Sequence, residues 1–290
     1  MPTQLRAARL FVIIAITFGL GMLSASDAYC GDPTPFVTLP ASAPLPTDQQ
    51  CASEIPATPE TMSVNIPYNN DMPTSDELAM YYRYPTQPIL RASQFDRVDG
   101  HYTGSTDMIL RWAACKWGIN ENVVRAQAWT ESKWRQGGPN PGDGGGDKRY
   151  NISQCVNGSF TALWNYQCPN CCRQSWGILQ TKVFYDWGTW PMIKDSTAFN
   201  ADYRYAEQRA CMNGEFGRYF NTRNHLPNSY AADIGSGDLN RILWGCIGMH
   251  FSGSWYDPQA RHYINEVKEN MAMKPWPKAP ILRTARARRR

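Results

Sequence analysis

Histidine is scarce in this 290-residue chain: four residues, scattered from His101 to His262. The run Cys168-Pro-Asn-Cys171-Cys172 has the short spacing of a zinc site, but a structural site needs a second ligand pair at similar spacing, and none is present. No metal and no cofactor is therefore expected. An excess of one charge is lacking as well. The formal +4 comes from five arginines in the last eight residues, Arg283, Arg286, Arg288, Arg289 and Arg290; without them 24 basic residues face 25 acidic ones. A body so nearly neutral argues against a nucleic-acid groove, which needs basic charge spread over one face. The basic run reads as a solvated end. Long apolar runs are missing too: the stretch Leu10 to Leu23 is fourteen residues, short of the roughly 20 that span a bilayer. There is no internal repeat.

Arg6 and Arg9 precede that apolar stretch, and the small residues Ser26 and Ala28 follow it. This is the pattern of an export signal over residues 1–28, with an uncleaved anchor as the alternative. An exported chain meets oxidising conditions, so most of the nine cysteines are expected to pair as disulfides, with one left over because nine is odd. Eleven of the 21 prolines fall between Gly31 and Thr103. Proline interrupts helices and central strands, so residues 29–103 read as a linker or draped extension, with Tyr81, Tyr82, Tyr84 and Phe95 available to pack its later part onto a domain. The sequons at Asn151 and Asn157 read as chance matches. Aromatics are plentiful at 12%; each offers a flat apolar face and, in Trp and Tyr, a polar tip, which suits a sugar-binding cleft as well as a core.

Helical periodicity begins near Ser105, where Met108, Ile109, Trp112 and Cys115 form one stripe. Gly118 is placed to cap that helix. Asn120 is placed to open the next one, with Glu121 favourable in its first turn. This second helix runs on through Glu131 toward Trp134 and then meets a Gly-rich loop, 136–147. Further helices are expected over 201–216, 239–250 and 258–273, with Pro275 and Pro277 ending the domain. Val124, Ala128 and Glu131 fall on one face of their helix, the face expected to be buried. A lone carboxyl there is unusual. Burial favours the protonated form of a carboxyl, and a protonated acid is what cleavage of a glycosidic bond requires. The competing reading is a structural ion pair of Glu131 with Arg125 or Arg135.

Downstream lies Ser175-Trp176-Gly177-Ile178-Leu179-Gln180-Thr181. A helical Glu-Ser followed later by Gly-aliphatic-aliphatic-Gln resembles the soluble lytic transglycosylase family, over roughly Ser105 to Met273. The approach Trp117-Gly-Ile-Asn-Glu-Asn-Val-Val-Arg-Ala-Gln-Ala is also similar to that family's. The resemblance implies a mainly α, goose-type-lysozyme-like domain over residues 104–273, here with a disulfide-rich insertion between Glu131 and Gly177 that would form a flap. It implies that Glu131 is the catalytic acid, that Ser132, Ser175, Gly177, Ile178, Leu179 and Gln180 line or support the cleft, and that the substrate is the glycan strand of peptidoglycan. The family's Tyr-Asn-Ala-Gly-like element is only partly kept, as His250-Phe251-Ser252-Gly253. Tyr256 or Tyr263 is the candidate for the missing hydroxyl, and the sequence does not choose between them.

A two-carboxylate hydrolase would need a second acid. Asp143 and Asp147 are candidates, although Asp in a Gly-rich stretch is usually a turn former. After Gln180, where goose-type lysozymes carry an acid, stand Thr181 and Lys182. That favours the one-carboxylate scheme of the transglycosylases, with Glu131 acting first as acid and then as base and a 1,6-anhydro product. Two alternatives stay open: a muramidase that uses water, and a glycan-binding protein on a degenerate scaffold of the same kind.

Overall fold

The prolines before Thr47 leave residues 35–47 without helix or strand, and the segment is held instead by donors from elsewhere. Leu39 donates to the Gly118 carbonyl at 2.9 Å, and Glu121 donates to that of Phe36 at 3.2 Å. The buried Arg209 guanidinium donates to the carbonyls of Leu39 and Pro40, at 3.0 and 2.6 Å. The structure, a computed structural model, describes residues 35–137, 175–182, 185–222 and 227–278. The expected export signal, Asp143 and Asp147, both sequons, the Cys-rich insertion and the terminal arginines lie outside these residues.

The described chain is mostly helical. The α-helices are α1 (Asp48–Glu54), α2 (Ile66–Asn69), α3 (Ser75–Arg83), α4 (Thr106–Trp117), α5 (Glu121–Ser132), α6 (Met192–Asp195), α7 (Thr197–Met212), α8 (Gly217–Thr222), α9 (Pro227–Ser236), α10 (Leu239–Ser252) and α11 (Pro258–Met273). The strands β1 (Ser175–Trp176) and β2 (Thr181–Lys182) form an antiparallel pair, with Trp176 opposite Thr181.

Local signals place the ends. Thr47 and Thr74 open α1 and α3 with reciprocal capping boxes through Gln50 and Glu77. Ser105 caps α4, and Gly118 ends it in the left-handed conformation (φ +58°) that glycine adopts at least cost. Asn120 caps α5 by accepting from the backbone of Asn122 and Val123, and α11 covers the expected 258–273. The expected helix over 201–216 begins earlier, at Thr197, because the Ser196 side chain accepts from Phe199 N. It also ends earlier, before Gly214 (φ +85°).

Helix α7 is the centre of the packing. All sixteen of its residues are buried, and α4 and α10 lie against it. α5 packs between α4 and α11, and α10 and α11 pair along their length. A helix buried all round shows no polar stripe, and Asn200, Asp202, Arg204 and Arg209 of α7 turn their polar groups to neighbouring segments.

The proline-rich extension is integral to this core. Ile55, Leu78, Tyr81, Leu90, Phe95 and Val98 are buried with the residues of α4 and α7. Cys51 of α1 is bonded to Cys115 of α4, and Cys211 of α7 to Cys246 of α10. Asn65 donates to the Trp134 carbonyl at 2.6 Å and accepts from Gln136 N at 2.9 Å, so the extension also braces the segment after α5. At the other end the ordered chain runs past Pro275: the Trp276 ring is buried and stacks on Trp134. No described helix is long and apolar enough to cross a membrane.

The Cys51–Cys115 bridge closes a loop of 64 residues, a constraint worth about 4 kcal/mol by loop-closure entropy. The double variant Cys51→Ser, Cys115→Ser is expected to lose stability on the order of 2–5 kcal/mol in urea unfolding. An unchanged midpoint would show that the extension contributes little to the folded state.

Candidate functional site

Helix α5 ends at Ser132, and the chain then takes two successive left-handed residues, Lys133 (φ +55°) and Trp134 (φ +64°). This sharp exit leaves Glu131 in the last turn. Val124 and Ala128, on the same face, are fully buried, and the Glu131 side chain keeps 11% of its exposure. Arg125 is taken up by Asp107 and Glu121, and the hydrogen bonds of Glu131 run elsewhere.

They both fall on one oxygen. The Tyr263 hydroxyl, from α11, donates to Glu131 Oε1. His250 Nε2, from the last turn of α10, lies 3.0 Å from the same atom. Among the described residues no hydrogen bond falls on Oε2. Burial and the Glu131 carboxylate push the Tyr263 phenol well above its ordinary range, so it stays a donor. Burial, and then Arg204, hold the His250 imidazole below its ordinary value. Arg204 Nη2 meets His250 Nδ1 on the far side of the ring. Its Nη1 contacts Glu207 at 2.7 Å and Asp186 at 3.4 Å. Burial raises both of those carboxyls, with Arg204 pulling the other way, and takes Glu207 to about 7. The Tyr205 hydroxyl donates to the Val124 carbonyl at 3.1 Å, which fixes α7 against α5 one residue from Arg204.

The Gly177–Gln180 turn joins β1 to β2 and is held through its backbone. Ser132 Oγ donates to the Ile178 carbonyl at 2.8 Å. Ile178 N donates to Gln136 Oε1 at 2.8 Å, and Leu179 N donates to Asn200 Oδ1 at 2.9 Å. Asn200 Nδ2 donates back to the Trp176 and Ile193 carbonyls, and Gln136 Nε2 also donates to Ile193. Ile178 and Leu179 are fully buried. Gln180 takes a left-handed conformation (φ +47°), and its amide closes onto the Gly177 carbonyl at 2.8 Å.

The structure therefore brings together Glu131, Ser132, the 177–180 turn and Tyr263, with Ser175 opening β1. Tyr256 is elsewhere: its hydroxyl donates to the Arg241 carbonyl at 2.7 Å, and the Arg241 and Arg261 guanidiniums both lie over its ring. Phe251 stacks on Tyr263, nearly parallel at 4.9 Å between centroids, and remains 49% exposed. Among the described residues no His, Cys, Asp or Glu cluster is arranged to hold a metal ion. Sequence reasoning missed Gln136, Asn200 and Arg204, which sit in a loop and on an all-round buried helix. It noted His250 only as a departure from a motif. Comparison with family models, curated proteins and solved structures finds no match.

Gly177 sits at φ +76°, and a Cβ there would come within 2.3 Å of the Asn200 amide and 2.4 Å of the Ile193 carbonyl. Gly177→Ala is expected to cost about 1–3 kcal/mol from the backbone conformation, with the clash adding to it. Chemical denaturation measures this; a neutral result would mean that the turn relaxes freely.

Proposed function

We propose that this chain is an exported enzyme that cleaves the β-1,4 bond between MurNAc and GlcNAc in peptidoglycan, as a lytic transglycosylase on a goose-type-lysozyme-like scaffold. The observation that carries the reading is the Glu131 carboxyl: nearly buried, at the end of a core helix, with the donors that reach it from the described residues both on Oε1. A solvated surface carboxylate has no need of such a setting. Burying one without function costs stability unless it is paired. The neighbouring Ser132 is bonded to the Gly-Ile-Leu-Gln turn, which joins the two motifs on which the resemblance rests. The Cys51–Cys115 and Cys211–Cys246 bridges are compatible with an oxidising compartment.

In this reading Glu131 gives its proton to the glycosidic oxygen as the bond breaks. The substrate's N-acetyl group stabilises the resulting sugar cation. The Glu131 carboxylate then takes the proton of the MurNAc 6-hydroxyl, which closes the 1,6-anhydro ring. One group serves as acid and then as base, so the scheme asks nothing of Asp143 or Asp147. Ser132, Gln136 and Asn200 hold the turn that forms one wall of the cleft. The exposed ring of Phe251 offers an apolar face beside the acid, where the family resemblance would place an amide.

Glu131→Gln keeps the shape and removes the transferable proton. Turnover on purified sacculi is expected to fall by at least about a thousandfold, within the range typical of general acid–base catalysis, while sedimentation with sacculi is retained. A variant that clears sacculi as fast as the natural protein would end the assignment. Mass spectrometry of the digest is expected to find anhydro-MurNAc ends; reducing ends would assign the chemistry to water instead.

A further inference from the structure

The contacts behind Glu131 have a fixed direction. A guanidinium has hydrogens to donate and no lone pair to offer. Where Arg204 Nη2 meets His250 Nδ1, the ring nitrogen must therefore accept. An imidazole that accepts at Nδ1 is neutral and carries its hydrogen on Nε2. That hydrogen faces Glu131 Oε1 at 3.0 Å, and the Tyr263 hydroxyl donates to the same atom. We propose that Arg204, acting through His250, is a positioning residue that fixes the Nε2–H form of the ring and so reserves Oε2 of Glu131 as the atom that gives up and later receives the proton. The proposal rests on the reading of Glu131 as the acid and adds which oxygen acts and what selects it.

Among the described residues, a proton on Oε1 would displace one of two donors already there, whereas a proton on Oε2 displaces none. In the carboxylate form, the same two donors hold charge on Oε1 and leave Oε2 free to act as base. Arg204 is held on its other side by Glu207 and Asp186, so the guanidinium is oriented before the ring meets it. The titratable and charged groups around the imidazole are Arg204 on α7, Glu131 on α5, Lys182 on β2 and Tyr263 on α11. Glu207 and Asp186 lie behind Arg204. Of these, Arg204 and Lys182 disfavour a charged ring and Glu131 favours it. Protonation of Nδ1 would set a hydrogen against the guanidinium and break the line.

The test is long-range nitrogen–proton NMR of the full chain labelled on histidine, with the His250 signals identified by their loss in His250→Gln. The expected result is a neutral ring with its hydrogen on Nε2, persisting below pH 6, where an ordinary histidine of pKa about 6.5 is mostly charged. Arg204→Gln is expected to raise the pH at which the ring charges and to mix its two neutral forms. A hydrogen on Nδ1, or titration at the ordinary value in the unaltered chain, overturns the proposal. On sacculi, His250→Leu is expected to lose about a hundredfold in turnover with binding kept, and His250→Gln, whose amide restores a donor toward Oε1, to recover most of that loss. Equal turnover for His250→Leu also overturns it. These outcomes do not depend on Arg204→Gln folding, since the unaltered ring and the two His250 variants decide without it. The ring's tautomer is read without any turnover, so failure of the enzymatic reading would appear separately, in Glu131→Gln.

Discussion

A buried ammonium sets the register of the molecule. Lys116, at the end of α4, is fully buried and lies 2.9 Å from the equally buried Asp202 of α7, 2.8 Å from Asp48 and 3.3 Å from Asp99. Taking a charge out of water costs several kcal/mol, and removing one member of such a pair leaves the other stranded, a loss of about 3–5 kcal/mol. Burial pulls the Lys116 ammonium down, but the three carboxylates outweigh it and hold it above its usual value, so it stays charged. Asp202 also accepts from Trp117 Nε1 at 2.7 Å and from the backbone of Asp99 and Gly100. Four segments of chain therefore meet at one charge, and α7 has a single height at which it can lie.

That height matters to the site. Asn200 and Arg204 sit one turn apart on α7, with Tyr205 beside Arg204. Indexing the helix at Asp202 delivers Asn200 to the Gly177–Gln180 turn, Arg204 to His250 and Tyr205 to α5 in one step. The Cys211–Cys246 bridge then ties the far end of α7 to the helix that carries His250. The residues around Glu131 are drawn from several places in the chain, and α7 contacts three of them: the Gly177–Gln180 turn, His250 and α5. On the proposed reading of Glu131 as the acid, this is the support from a packed scaffold that such a group needs.

The sequence revealed most where a local rule operates. Gly118, Asn120 and the 258–273 period each name an element end because capping and amphipathicity are decided within a few residues. Glu131 was visible because a carboxyl broke an apolar face. Tyr263 could be narrowed only to one of two tyrosines, since choosing it depends on how α11 lies on α5, a tertiary fact. Asn200 and Arg204 left no trace, because polar residues inside a helix buried all round look like those of a solvated one, and Gln136, at the start of a Gly-rich loop, looks like an ordinary loop residue. The packing of residues 48–98 was hidden for a related reason. Proline forbids long helices but says nothing against short capped ones, and only the Cys51–Cys115 bridge and the shared core reveal that the segment belongs to the same body.

The stack of Trp276 on Trp134, 6.0 Å between centroids and 17° from parallel, changes where the protein can be said to end. Trp134 is the second residue of the sharp exit from α5, and its carbonyl is anchored by Asn65. The last described residues are thus a wedge packed against the exit of α5, next to the turn that carries Glu131. Shortening the chain at Met273, where helical periodicity stops, would remove that wedge and loosen the end of α5 without touching Glu131, His250 or Tyr263.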